Sequence, residues 1–420
     1  MRRRVGIILA ALLLTYAAAE LVAIAGLEAL KKYQGLQPVG EAATLTRQNT
    51  KELQKFVERG HGQFMEMDPE LGWTLMRRSA QKKLYDAVNS AGMRDDREYD
   101  RHPAAGSVRI AAFGESFTYG AEVQLGENWA KVMTEMAPAL EVLNYGVGGY
   151  GLDQAFLRYL KVGGDFHPDI VLIGYMSENM ARSVSVYRPF LVPQGGGIYS
   201  KPRFRLEDGK LVLRPNPLRT VQDYRRLLET PKAELAELGR HDAHYQAAYP
   251  DSIWNFSPLV RLVKSMAGRV SKPRQLWRDE KGVCDPESEA FQLTLAIMDA
   301  FYRQVLADGR LPVIIVFPYQ YDFKRALEGK SLHYAPFLEA LSARGYLFID
   351  TLNAFLPIKN REQIQSVIGG HFNAKGNRMV ADYLLGQLRE KNLLVKSSVQ
   401  ETAEAEAARL GVTRREKTAP

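Results

Sequence analysis

The stretch Val142–Gln154, VLNYGVGGYGLDQ, sets two folds against each other. Gly146, Gly148 and Gly151 follow an apolar run in the G-x-G-x-x-G spacing of a dinucleotide-binding loop, and a helix is expected after them. Such a loop belongs after the first strand of its sheet, with an acid closing the next strand. Here an earlier apolar run, VRIAAFG (Val108–Gly114), takes first place. The strand after the glycines, DIVLIGY (Asp169–Tyr175), closes on Tyr175, and its acid, Asp169, stands at the wrong end. The phosphate reading fails on position, so these glycines serve another chemistry.

Working outward, apolar runs of strand length recur at LEVLNY (Leu140–Tyr145), PVIIVFP (Pro312–Pro318) and YLFID (Tyr346–Asp350). Their unbroken apolarity suits parallel strands covered on both faces. Phe291, Leu295, Met298, Phe301 and Val305 recur at helical spacing, as do Met379, Val380, Tyr383, Leu384 and Leu388. The alternation predicts an α/β fold, a three-layer α/β/α sandwich around a mainly parallel five-stranded sheet.

The chain has 420 residues, 46% hydrophobic and 25% charged, which is ordinary for a globular protein. Its net charge of +8 is dispersed, and no Lys/Arg run is long enough for a nucleic-acid patch. Cys284 is the single cysteine, which excludes an intrachain disulfide and a thiolate metal cluster. No cofactor is expected.

The N-terminus departs from this pattern. Three arginines precede Val5–Leu30, which is apolar except for Glu20 and Glu28. About 20 apolar residues span a bilayer, and the basic flank stays in the cytoplasm. One reading is an uncleaved anchor at 1–35, single-pass in a bacterial inner membrane, with the remaining chain in the periplasm. Another is a signal segment with its core at Val5–Tyr16 and cleavage after Ala17-Ala18-Ala19, releasing the chain to the periplasm. A third is a buried soluble helix. Against the anchor stands Glu20, since a central acid costs about 2.5–3.5 kcal/mol on insertion scales. Residues 36–106 form a polar lead-in carrying DPELGW and NSAGMRD. An insertion of about 182–287, rich in Tyr, Arg and Pro, reads either as a substrate wall or as a solvated elaboration. The Ala/Glu/Arg-rich tail at 396–420 lacks a sustained apolar face and is expected to be disordered or weakly helical.

The chemistry gathers at strand ends. FGESFTYG places Ser116 on the turn leaving the first strand, Gly149 follows the second, Asn179 the third and His371 the fifth. Ligands of open α/β sheets bind at that edge. A serine needs a histidine to take its proton, and an oxyanion needs preorganised donors. Thr118 stands where the α/β-hydrolase elbow needs glycine, and no Walker sequence follows.

These residues resemble the SGNH (GDSL-type) hydrolase superfamily over roughly residues 107–392, the insertion excepted. Gly114-Glu115-Ser116 followed by Phe117-Thr118-Tyr119-Gly120 matches its first block, and Asn144 with Gly149 its second. IGYMSENMAR offers Asn179 without the usual following Asp, and GGHFNAKGNRMVA resembles the context of the catalytic histidine. DPELGW and NSAGMRD look like the lead-in of membrane-attached bacterial members. The resemblance implies a flavodoxin-like sheet, Ser116 as nucleophile, His371 as base, and an oxyanion hole of Ser116, Gly149 and Asn179. It also implies an ester substrate, an O-acyl group on a glycan or lipid. Acyl transfer to a cell-surface polysaccharide and a decayed glycan-binding site are the alternatives.

The family's acid stands two or three residues before the histidine, where this chain has Gly369 and Ile368. Either His371 works in a dyad oriented by a backbone carbonyl, or an acid arrives from elsewhere, with Asp350 the candidate. His241 and His244 lack ligand-type companions and read as a solvated pair, with no metal expected. His61, His102, His167 and His333 have no legible companion. Arg182 and Arg188 could meet a substrate, although surface salt bridges are their commoner fate.

Overall fold

A computed structural model describes residues 2–34, 43–62, 65–77, 87–193, 196–249, 253–270 and 276–415. The chain begins with a long helix, α1 (Arg2–Gln34), then forms a hairpin of β1 (Met65–Asp68) and β2 (Gly72–Leu75). The central sheet opens with β3 (Val108–Phe113), followed by α2 (Ser116–Tyr119), α3 (Trp129–Met136), β4 (Leu140–Asn144), α4 (Leu152–Val162) and β5 (Ile170–Tyr175). The insertion contributes α5 (Asn179–Ser183), the hairpin β6 (Arg203–Glu207) and β7 (Lys210–Arg214), and α6 (Pro258–Val270). The sheet is completed by α7 (Glu289–Ala307), β8 (Leu311–Val316) and β9 (Phe348–Asp350), and α8 (Ala374–Glu390) and α9 (Lys396–Arg409) close the chain.

The five sheet strands lie in the order β4-β3-β5-β8-β9, and every ladder between them is parallel. This is the doubly wound arrangement that the alternating runs predict. Successive side chains of a strand point to opposite faces, so the sheet feeds two cores. Ile110, Ala112, Val142, Leu172 and Ile315 pack with Trp129, Met133, Val380 and Leu384 on one face. Ala111, Phe113, Leu143, Ile173 and Val316 pack with Phe156, Tyr159, Phe301 and Val305 on the other. All C-terminal strand ends share one edge, and the loops leaving β3, β4 and β5 meet there.

The insertion is not a solvated elaboration. Tyr187, Ile198, Tyr199, Leu218, Tyr224, Leu227 and Leu238 build a third core with Phe56 and Trp73 of the lead-in and Tyr150 of the β4 loop. Asp242 ties it down, its buried Oδ2 accepting from Ser185 Oγ and from the N–H groups of Val186 and Tyr187.

Of the tail, expected to be disordered or weakly helical, residues 396–415 are described and carry a packed helix, while 416–420 lie outside the described residues. α9 buries Val399, Ala403 and Ala407, a stripe at i, i+4, i+8. Glu406 accepts from Tyr302 of α7 at 2.9 Å. Small alanines supply the packing face, so composition alone reads it as polar.

Candidate active site

β3 ends at Phe113, and the chain turns through Gly114 to place Ser116 at the first position of α2. Glu115 caps that short helix, its Oε2 accepting from Phe117 N–H at 2.8 Å and facing Ser116 Oγ at 3.0 Å. Glu115 is buried, and that burial raises its carboxyl above the ordinary range, with Arg182 opposing. Ser116 Oγ also has a second acceptor within reach.

That acceptor is His371. Its Nε2 lies 2.8 Å from Ser116 Oγ. It stands just before α8, whose first turn is capped by Asn373 accepting from Gly376 N–H. The other ring nitrogen, Nδ1, lies 2.8 Å from Glu122 Oε1. With Nδ1–H donating to that carboxylate, Nε2 is free to take the serine proton. Ser116, His371 and Glu122 therefore form one hydrogen-bonded line.

The carboxylate at Nδ1 is that of Glu122 and not of Asp350, the candidate acid of the sequence reading. Asp350, at the end of β9, accepts from Tyr334 Oη at 3.0 Å and from Leu352 N–H at 3.0 Å, so it caps its own loop. Nor does Nδ1 meet the backbone carbonyl that a dyad would use, among the described residues. Glu122 reaches the ring because Gly370 precedes it. A Cβ on Gly370 would stand 2.9 Å from Glu122 Oε1. Gly370, next to the Gly369 and Ile368 that stand at the family's acid position, thus leaves room for a carboxylate from another loop.

The loop bearing Glu122 is held from outside. Glu122 itself adopts a left-handed φ of 67°, uncommon for a residue with a side chain. Buried Arg94, from the NSAGMRD motif, donates to the carbonyls of Tyr119 at 2.7 Å, of Gly120, and of Val123 at 2.5 Å. One guanidinium therefore brackets Glu122 on both sides. Neither residue was read as functional from sequence, although NSAGMRD was noticed.

The opening glycines belong to the opposite side of the site. Gly149 has φ of +80°, a conformation that side chains resist. Its N–H and that of Ser116 meet no acceptor among the described residues. Asn144 pins this loop to α2, donating to Thr118 O at 2.9 Å while accepting from Gly146 N–H at 2.9 Å. Trp73, from DPELGW, donates to Gly148 O at 3.0 Å, and Tyr150 Oη donates back to Trp73 O at 2.6 Å. Asn179 opens α5. Its Oδ1 accepts from Met176 N–H at 2.7 Å, and its Nδ2 turns toward Tyr150 O at 3.3 Å, beside Gly149.

Arg182 keeps an ion pair, with Glu178 at 3.2 Å, but both arginines also turn inward to the glycine loop. Arg182 is buried and donates to Tyr150 O at 3.0 Å. Arg188 donates to Gly149 O at 3.0 Å, and burial lowers its guanidinium to about 9, with Arg182 adding repulsion. Both brace the glycine loop. His244 bonds Ala181 O at 2.9 Å rather than standing solvated, and His333 pairs with buried Asp322 at 2.8 Å. His102 stacks on His167 with ring centroids 4.5 Å apart. No cluster of three or more metal-type ligands occurs among the described residues.

Desolvation raises Asp350 to about 6, against an ordinary 3.8. A carboxyl raised on folding binds its proton more tightly in the native state. Its stabilisation is complete below the unfolded value and is lost as pH climbs through the folded one. Asp350→Asn is therefore expected to flatten the fall in melting temperature between pH 4 and 6, about the window of that shift. Turnover of an ester at neutral pH should change less than about twofold, since Asp350 does not touch His371.

No protein-family model and no curated protein matches the chain. Solved structures similar to it include a member of the lipolytic protein G-D-S-L family from Veillonella parvula, 13% identical over 67% of this chain and 97% of that one, with a TM-score of 0.29. The LAE5 α/β hydrolase enzyme from the metagenome of Lake Arreo is 12% identical over 67% and 95%, at 0.34. A two-domain esterase active on acetylated mannans is 10% identical over 76% and 54%, at 0.27. The chain itself carries an α/β sheet in the order β4-β3-β5-β8-β9, a Ser116–His371 contact at its C-terminal edge and the Gly149 loop beside it.

Proposed function

We propose that the chain is an ester hydrolase of SGNH type that works through an acyl-enzyme on Ser116, and the Ser116–His371–Glu122 line is the observation that carries the reading. Ser116 Oγ attacks the ester carbonyl as its proton passes to His371 Nε2. The oxyanion is held by the N–H groups of Ser116 and Gly149 and by the Asn179 amide, donors worth about 10²–10³ in rate each. His371 returns the proton to the leaving alcohol oxygen as the ester C–O bond breaks. Water then gives a proton to His371 and attacks the acyl carbon, and Ser116 leaves with that proton. Glu122 holds the imidazole tautomer and faces the imidazolium that forms.

The substrate we infer is an O-acyl ester of a glycan or lipid outside the cytoplasm. The support is α1. Its stretch Arg4–Leu30 is long and apolar enough to cross a membrane, and residues 4–18 are exposed throughout. With the arginines inside, the catalytic sheet follows on the periplasmic side. The test is hydrolysis of an aryl acetate by the full chain in detergent, paired with protease access in sealed spheroplasts. Turnover together with digestion of the domain from outside is expected. A domain protected until lysis would overturn the location, and an inert wild type would overturn the activity.

A further inference from the structure

α6 of the insertion lies along α1, and the pair meets at Glu20. Glu20 Oε2 accepts from Leu259 N–H at 2.8 Å, and Oε1 accepts from Ser257 Oγ. Leu259 N–H belongs to the first turn of α6, where backbone donors have no helical partner and the dipole favours an anion. The acid that argued against a membrane helix is therefore the cap of a second helix. The contact continues down α1 through Ala23, Leu27 and Leu30, all buried. At Gly26 a Cβ would stand 3.0 Å from Leu262 Cδ2, so the missing side chain lets the helices approach.

Docking on α1 uses only part of the apolar surface of α6. Leu259, Leu262, Val263 and Met266 recur at i, i+3, i+4, i+7, with Arg261, Lys264 and Ser265 on the other side. Val263 and Met266 remain 59% and 51% exposed, and the preceding turn exposes Trp254 and Phe256 at 59% and 74%. Trp254 and Phe256 stand at the Glu20 end of the pair, from which the exposed apolar length of α1 runs back to Arg4. At about 1.5 Å per residue, Glu20 lies about 24 Å along the helix from Arg4, against a hydrocarbon thickness of about 30 Å. The α6 cap therefore sits in the far leaflet, about 6 Å inside the hydrocarbon boundary.

We propose that Ile253–Val270 is a second membrane element, whose first turn enters the outer leaflet of the phospholipid bilayer that α1 crosses and whose helix follows α1 outward. Trp254 and Phe256 enter the acyl boundary, while Arg261 and Lys264, further along the helix, stand at headgroup level. Continuity with the α1 surface selects lipid as the occupant. The consequence is that the insertion, whose core also packs against the Gly149 loop, holds the catalytic edge at a set distance from the membrane. The proposal rests on the anchor reading of α1.

Trp254 reports on it directly, because Trp73, Trp129 and Trp277 are buried. The full chain is reconstituted in phosphatidylcholine vesicles with or without brominated acyl chains. Bromolipid is expected to quench part of the tryptophan emission, and Trp254→Phe should abolish the quenching with an unchanged melting temperature. Phe256→Trp in that background should restore it. A chain that resists carbonate extraction yet shows no Trp254 or Phe256→Trp quenching overturns the interfacial helix and leaves the anchor standing. A chain released by carbonate overturns the anchor, and the interfacial helix with it.

Discussion

Ser116→Ala is expected to lower kcat for an aryl acetate by about four to six orders of magnitude, the loss that follows removal of a nucleophile acting as a unit with its base. The magnitude follows from the arrangement. Ser116 Oγ lies 2.8 Å from His371 Nε2, and no other hydroxyl is bonded to that ring. Alanine removes the attacking oxygen but leaves the backbone N–H groups and Gly149 in place, so a residual rate from oxyanion stabilisation remains. His371→Ala should fall nearly as far, and the double variant no further. Folding is not at stake, because the Glu115 cap of α2 bonds Phe117 N–H independently of the serine.

The second large effect falls on Glu122. Glu122→Gln should lower kcat by about 10²–10³-fold with KM little changed, because the amide can present the wrong group to Nδ1 and carries no charge for the imidazolium. The effect is smaller than for a buried acid because the Glu122 side chain is 58% exposed and water screens its charge. Glu122→Asp should recover part of the loss if the loop can advance by one methylene. Arg94→Met should lower kcat through the same loop, since it releases the carbonyls on both sides of Glu122. Combined with Glu122→Gln, it should cost less than the product of the two single losses, the signature of a shared path. Full multiplicative losses would separate Arg94 from the acid.

The sheet was legible because parallel strands buried on both faces read as unbroken apolar runs, and Ile170–Tyr175 is a clear case. Strand ends then placed Ser116, Gly149, Asn179 and His371 along one edge. Glu122 was not legible, because its partner lies 249 residues away and the contact joins two loops across the edge. A signal was present in retrospect: an acid six positions after the serine, and Gly369 and Ile368 where an acid is expected. Arg94 and Trp73 sat in motifs that could be noticed but not assigned, since their targets are backbone carbonyls and leave no pattern of their own. Glu20 was read as a cost of membrane insertion because its compensating partner, α6, lies more than two hundred residues downstream. α9 escaped because alanine stripes carry little hydrophobic contrast.

The acyl-enzyme claim is tested most directly by incubating the full chain with a fluorophosphonate and mapping the adduct by mass spectrometry. One adduct on Ser116 is expected, absent in Ser116→Ala and formed far more slowly in His371→Ala. An adduct on another residue, or none on a preparation that hydrolyses the aryl acetate, would contradict it.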